Sequence, residues 1–299
     1  MTKLFTAFAA FVAIGFTVAT ANAGTQTTSS KEMSAAVVPA PEYNWTGFYI
    51  GGNAGANWNE FDFGGFDSVI DQPNMVTGPF TFTTPGDNGR DEMEFVGGGQ
   101  IGYNFQFGRW VFGLEGDFQG LGDVDRPYTD TETSHQSSGG GFLTFFSDST
   151  VNFRGTATTD WMASVRPRIG YSFGRILLYA TGGVAFNNTT VTSRATASTR
   201  EFVTVAGFGT FFLGSNFDTV NGSDEKTMVG WTVGGGLEYQ ITNWLTAGVE
   251  YRHTEFGDES YSFAGSSNGN IGPHSMDVNL VNDQVTAKVN ILFMNLFRR

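Results

Sequence analysis

Eight charged residues sit inside otherwise alternating segments: Glu115 and Asp117 in WVFGLEGDFQ, Arg166 and Arg168 in WMASVRPRIGYSF, Glu238 in MVGWTVGGGLEY, Glu250 and Arg252 in WLTAGVEYRH, and Lys288 in QVTAKVNILF. Carboxylates held together can share proton-transfer work, and an acid beside a histidine can build a hydrolytic site. Here all eight share the non-aromatic side of a period-two pattern, so four acids and four bases converge on one face. Measured from the adjoining short turn, Glu115 and Asp117 stand level with Arg168 and Arg166. If that face lines a narrow space, the chemistry is mutual neutralisation in a plug of salt bridges. The three histidines do not join it, because His253 has the opposite parity and His135 and His274 fall between segments. No catalytic constellation can be assembled, and no axial histidine for haem stands out. The acidic turns GSDEK (Gly222–Lys226) and GDNGRDE (Gly86–Glu92) lack calcium-loop spacing. No cofactor and no metal site are expected.

Strict alternation marks strands with two unlike faces. In NWTGFYIGGNAGANW (Asn44–Trp58), Phe48, Ile50, Ala54 and Ala56 oppose Gly47, Tyr49, Gly51, Asn53 and Gly55. The pattern recurs at Phe95–Phe107, Trp110–Gln119, Trp161–Phe173, Met228–Tyr239, Trp244–His253 and Gln284–Phe293, whereas Ile176–Phe186 can be argued in either parity. That makes eight strands. Their connections alternate between very short (Gly108-Arg109, Gly174-Arg175, Ile241-Thr242-Asn243) and long (Asn59–Glu94, Leu121–Asp160, Asn187–Thr227, Glu255 to about Asn282). An antiparallel meander of this kind has tight turns at one end and four long loops at the other. Two long loops carry a near repeat, GFLTFF (Gly141–Phe146) and GFGTFF (Gly207–Phe212), whose rings either pack together or dock a partner; packing is the preferred reading.

The chain has 299 residues, 41 of them Gly, 30 Phe and none Cys, with a net charge of −13. This richness in glycine argues against a helical protein, and the aromatic content argues against disorder. Residues 1–23 read as a cleaved signal peptide, with Lys3, an apolar run and Ala21-Asn22-Ala23, and residues 24–43 as a flexible periplasmic lead-in. No later run of 18 apolar residues could cross a bilayer as a helix. The four long connections hold 22 acids and 6 bases, and this acidic crown disfavours nucleic acid.

Two barrels fit eight alternating strands. A soluble one turns its apolar face inward, while a membrane one turns it to lipid and keeps a polar interior. The eight charges and the strand-end rings decide for the second. Trp45, Trp58, Tyr103, Phe107, Trp110, Trp161, Tyr171, Tyr239, Trp244 and Phe293 read as girdles at the two lipid interfaces. The expected fold is all-β: an eight-stranded antiparallel up-and-down transmembrane β-barrel over residues 44–293, with four long extracellular loops, short periplasmic turns and a C-terminal extension over 294–299. An exported chain of this pattern belongs in the outer membrane of a Gram-negative bacterium.

The stretches NWTGFYIGGNAGANW, WMASVRPRIGYSFGRILLYATGGVAF and VGWTVGGGLEYQITNWLTAGVEYRHTEFG, and more loosely QVTAKVNILF, resemble the alphaproteobacterial outer membrane immunogenic protein family of small porin-like and opacity-like barrels. The resemblance covers the strands and turns but not the loops. It implies surface exposure, with family roles that range from envelope integrity to haemin binding. Two departures are Pro167, which removes a ladder donor mid-strand, and the tail MNLFRR beyond Phe293, where Phe297 could serve as the terminal aromatic read during assembly. The expected role is that of a structural barrel and surface antigen. The alternatives are a narrow channel for small solutes, or binding of a ligand, haemin or host partner through the loops. The expected partners are outer-membrane lipids and lipopolysaccharide, with periplasmic chaperones and the barrel assembly machinery during biogenesis.

Overall fold

A computed structural model describes residues 43–64, 67–70, 80–83, 87–267 and 270–293. The expected signal peptide, the lead-in apart from Tyr43, and the extension over 294–299 lie outside the described residues. Eleven strands form one sheet: β1 (Gly47–Phe63), β2 (Asp67–Ile70), β3 (Phe80–Thr83), β4 (Asp87–Phe107), β5 (Trp110–Gly140), β6 (Leu143–Phe173), β7 (Ile176–Val205), β8 (Gly209–Gln240), β9 (Leu245–Glu255), β10 (Glu259–Phe263) and β11 (His274–Leu292). Eight of them, β1, β4, β5, β6, β7, β8, β9 and β11, pair antiparallel in that order, and β11 pairs back onto β1 from Tyr49↔Leu292 to Phe63↔Val278. The ring is therefore closed. The short strands β2 and β3 pair with each other, and β2 and β10 lean on the upper part of β11.

At the periplasmic end, Gly108 and Gly174 take φ of 60° and 74°, the left-handed conformation that a two-residue hairpin demands. Above each turn the expected parities appear in the burial. On β1, Phe48 and Ile50 are exposed while Tyr49 is buried, and Ile101, Leu114, Ile169 and Val249 also face outward. On β7, whose parity was ambiguous in the sequence, Leu177, Tyr179 and Thr181 point inward and Leu178 outward. Near Pro167 the β6–β7 ladder is interrupted between Val165↔Val184 and Arg168↔Thr181, and the Thr181 hydroxyl donates to the Pro167 carbonyl at 3.0 Å.

The other end differs from the expectation of long loops. The stretches read as connections at Leu121–Asp160 and Asn187–Thr227 continue as strand, so that β5 and β6 each have 31 residues, β7 has 30 and β8 has 32. Such strands measure about 100 Å, whereas crossing a bilayer takes only about 10 residues. Their upper parts alternate Thr and Ser with small apolar residues, as in TTVTSRATASTREFVTV, instead of setting aromatics against glycine. β-Branched residues hold a strand there without the strong contrast that marks the membrane part.

Along the same strands the inside and outside exchange character. Below, apolar rings face out; above, Phe61, Phe63, Val151, Phe153, Val191, Met276, Val278 and Leu280 form a buried apolar core inside the extension. The switch falls at register shifts between Gly120 and Val124 on β5 and between Thr159 and Trp161 on β6. On β6 the buried residues are odd-numbered from Ser147 to Thr159 and even-numbered from Met162 to Ser172. Asp160 is the extra residue that reverses the faces, as a one-residue slip must. Where the surroundings turn from lipid to water, the apolar side has to turn from outside to inside.

Two measurements check this arrangement. Replacing Ile101, midway along the lipid-facing part of β4, by Arg is expected to cost about 2–4 kcal/mol in folding titrations into bilayers, while the same change at Thr192 in the extension costs far less. In the extension core, the His274 ring stacks on Phe263 at 5.1 Å and its Nε2 meets the Ser193 hydroxyl at 2.9 Å. Burial holds its pKa below the ordinary 6.5. The unfolded segment therefore binds more protons in that window, so stability is full above 6.5 and falls as the pH drops through it. Hydrogen-exchange protection factors of β10 and upper β11 should fall between pH 7.5 and 5.5, and His274→Leu should remove that dependence.

Candidate functional site

The inward side chains of the membrane-level barrel make one connected polar cluster. The register sets Glu115 on β5 against Arg166 on β6, Asp117 against Ser164 and Gly113 against Arg168, so the acids and bases meet two residues off the levels expected from the short turns. Arg166 reaches Glu115 at 2.7 Å, Asp117 at 3.2 Å and, across the lumen, Glu250 on β9 at 2.7 Å. Arg168 joins Glu115 at 3.3 Å to Glu238 on β8 at 2.9 Å. Arg252 holds Asp117 at 2.7 Å, and Lys288 on β11 bridges Glu115 at 2.8 Å and Glu250 at 3.1 Å. All eight residues are at most 7% exposed. Four acids against four bases leave the cluster neutral, as burial of so many charges requires.

Neutral groups complete it, and sequence reasoning gave most of them no role. Tyr49 and Tyr179 donate their hydroxyls to Glu115 and Glu250, each at 2.7 Å, and the Arg168 guanidinium lies 4.1 Å from the Tyr179 ring centre. Ser164 donates to Asp117, and Gln119 and Gln284 both accept from Arg252. Beside them, amides of Asn53, Gln100, Gln119 and Asn290 bond in a chain across four strands, with Gln100 opposite Asp117 and Asn53 opposite Lys288. The signal for Tyr49 was its inward parity among glycines. Tyr179 gave none, because Leu177 and Tyr179 made its strand's inner side look apolar. Glycines make the room: a Cβ on Gly102 would lie 2.4 Å from the Tyr49 ring, and one on Gly236 would lie 2.6 Å from the Tyr179 hydroxyl.

Of the residues read as interface rings, Trp58, Tyr103, Phe107, Trp110, Trp161, Tyr171, Tyr239, Trp244 and Phe293 have partly or largely exposed side chains on the outer face. Trp161 stacks on Phe118 at 5.6 Å, and Trp110 meets Tyr171 edge-on at 5.3 Å. Trp45 is the correction. It is fully buried at the periplasmic end, packed with Val111, Leu177 and Tyr179, and its indole N–H donates to the Ser172 hydroxyl and the Gly174 carbonyl. Trp45 keeps the inward, odd-numbered parity of Gly47 and Tyr49, so its place inside follows the alternation, and its reading as an interface ring rested on residue type and strand-end position alone.

The histidines lie apart. His135 is exposed on β5 against Asp148, and His253 faces outward beside Trp231 and bonds Asp283 at 2.8 Å. His274, expected in mid-connection, starts β11 and is buried in the extension core. Among the described residues no group of acids and histidines has the arrangement of a metal site.

A closed antiparallel ring with an apolar outer band, interfacial rings and a neutralised charged interior defines a β-barrel of the outer-membrane class. The chain matches the family model described as outer membrane protein beta-barrel domain over residues 8–282, and it belongs to that family. It is 31% identical over 232 residues to the 31 kDa outer-membrane immunogenic protein of Brucella melitensis biotype 1, covering 76% of this chain and 78% of that protein. It is 29% identical over 230 residues to the 22 kDa outer membrane protein of Rhizobium leguminosarum bv. viciae, covering 76% and 72%. Among solved structures, the outer membrane protein OprG from Pseudomonas aeruginosa aligns over 81% of this chain and 96% of that one, at 11% identity and a TM-score of 0.33. The protein is an outer-membrane β-barrel.

Removing one member of the network should expose how strongly the rest depend on it. Lys288→Met leaves Glu115 and Glu250 short of a cation and is expected to destabilise the barrel by about 3–5 kcal/mol, read by urea titration in detergent micelles. Adding Glu115→Gln should recover part of that loss, because it restores neutrality.

Proposed function

We propose that the protein serves the outer membrane as a structural, non-conducting and non-catalytic barrel that carries a surface-exposed β-sheet for contact with its surroundings. The observation that supports this most is the filling of the interior at three levels. Trp45 closes the periplasmic mouth, the charge network occupies the membrane level, and the apolar core fills the extension. An eight-stranded barrel has room only for its own side chains. The separation of the three histidines argues against both a hydrolytic centre and histidine-mediated haemin binding. The relatives named for immunogenicity fit a chain whose upper strands stand well clear of the bilayer.

The test has two arms. Purified protein in planar bilayers should give no conductance steps; regular steps would replace this reading by a small-solute channel, the more so if Arg166→Ala with Arg168→Ala enlarged them. A deletion strain should be more sensitive to detergents and recover with the full chain. An unchanged envelope would remove the structural role.

A further inference from the structure

The outer face of the extension carries a charge arrangement at odds with the acidic chain. Register places Arg154 on β6 directly opposite Arg194 on β7, and both side chains are exposed. Directly opposed side chains in an antiparallel pair are only about 5 Å apart at their β-carbons, and two like charges there repel. Among the described residues, neither has a carboxylate within ion-pair distance. The neighbouring outward positions are neutral hydroxyls and amides: Thr129, Asn152, Thr156, Thr192, Thr196 and Asn221. Among the described side chains of this face, Glu225 bonds Asn188 and Asp148 bonds His135, and Asp160 lies six residues along β6 from Arg154, about 20 Å away. The result is a doubly cationic spot in a field of sugar-compatible donors and acceptors, on a protein of net charge −13.

Its height selects the ligand. The lipid-facing band ends at Trp161 and Phe186, and Arg194 lies six residues above Asn188, the register partner of Trp161. Six residues make about 20 Å of strand, or roughly 15 Å of height at a tilt near 40°. Headgroups add only about 5–8 Å beyond the hydrocarbon on each side of a bilayer. The pair thus stands just above the headgroups, at the level of sugars borne by a lipid of the same leaflet.

We infer that Arg154 and Arg194 form an anion site for the phosphate or carboxylate groups on the core sugars of the outer leaflet's own glycolipid, with the surrounding threonines and asparagines contacting the sugar hydroxyls. Two guanidinium forks side by side offer bidentate hydrogen bonds to such oxyanions, and a bound anion relieves their repulsion. The assignment rests on the reading of the barrel as a surface-contacting component of the envelope, and it names one partner for that contact.

The experiment compares the full-length wild-type barrel in nanodiscs with Arg154→Thr, Arg194→Thr and the double variant. The probes are lipopolysaccharide with an intact phosphorylated core and lipid A without core sugars. The double variant should bind the complete glycolipid at least about tenfold more weakly, with each single variant in between. Lipid A alone should bind wild type and double variant alike. Exchange of both residues for Lys should restore only part of the affinity. Unchanged glycolipid binding by a folded double variant would overturn the assignment, as would an equal loss for lipid A. Tighter wild-type binding of a sulfated glycosaminoglycan would move the site to a foreign polysaccharide. If the double variant does not fold, Arg194→Gln alone must still weaken binding to the complete glycolipid. These readouts are independent of conductance and of the deletion strain's detergent sensitivity.

Discussion

Lipid offers no hydrogen bonds, and the rest of this structure follows from that. Every strand at membrane level must satisfy its backbone through neighbouring strands, so the sheet has to close, and the β1–β11 pairing closes it. With eight staves the closed ring is narrow. Anything polar turned inward is then removed from bulk water, so charges must come in matched numbers and in contact. Arg166 bridging Glu115 and Glu250 from opposite walls is the consequence. The inward glycines follow as well, because the long arginine and tyrosine side chains fit only where facing positions lack a Cβ.

The same strands then leave the lipid, and the constraint reverses. Above Asp160 the outside is water, so the apolar residues belong inside, and β6 achieves this with a single extra residue. On β1 the parity is kept and the residue type changes instead, from Asn57 and Asn59 to Phe61 and Phe63, all buried. Two local solutions answer one change of solvent. The extension core, built this way, covers the extracellular end of the barrel as Trp45 covers the periplasmic end.

The charge network and the extension divide the work of the molecule. The network lies away from solvent and its members are held by several partners each, which suits a fixed strut rather than a moving part. The extension presents hydroxyl-rich faces and the exposed rings of Phe142 and Phe208 at its hairpin tips, far from the bilayer. Contact with the surroundings therefore belongs to the upper half, and anchoring to the lower.

At membrane level, much was legible from the residues alone. Aromatic-against-glycine alternation is a strong contrast, and it located the strands, the tight turns, the polar face and the eight charges on it. Three things were not legible. Thr-rich alternation at Asn187–Thr227 is a weak contrast, so a strand there is recognised only once neighbouring strands pair with it. Trp45 shares the inward parity of Gly47 and Tyr49, but its type and place are those of an interface ring, and its role as a plug shows only in its packing against Val111, Leu177 and Tyr179. Which acid meets which base, and the entry of Tyr49 and Tyr179 into the network, depend on groups far apart in the chain meeting across the lumen. Periodicity is a property of one strand and is written in the sequence. Register across the ring and contact through its interior are properties of the closed barrel, and only the tertiary structure decides them.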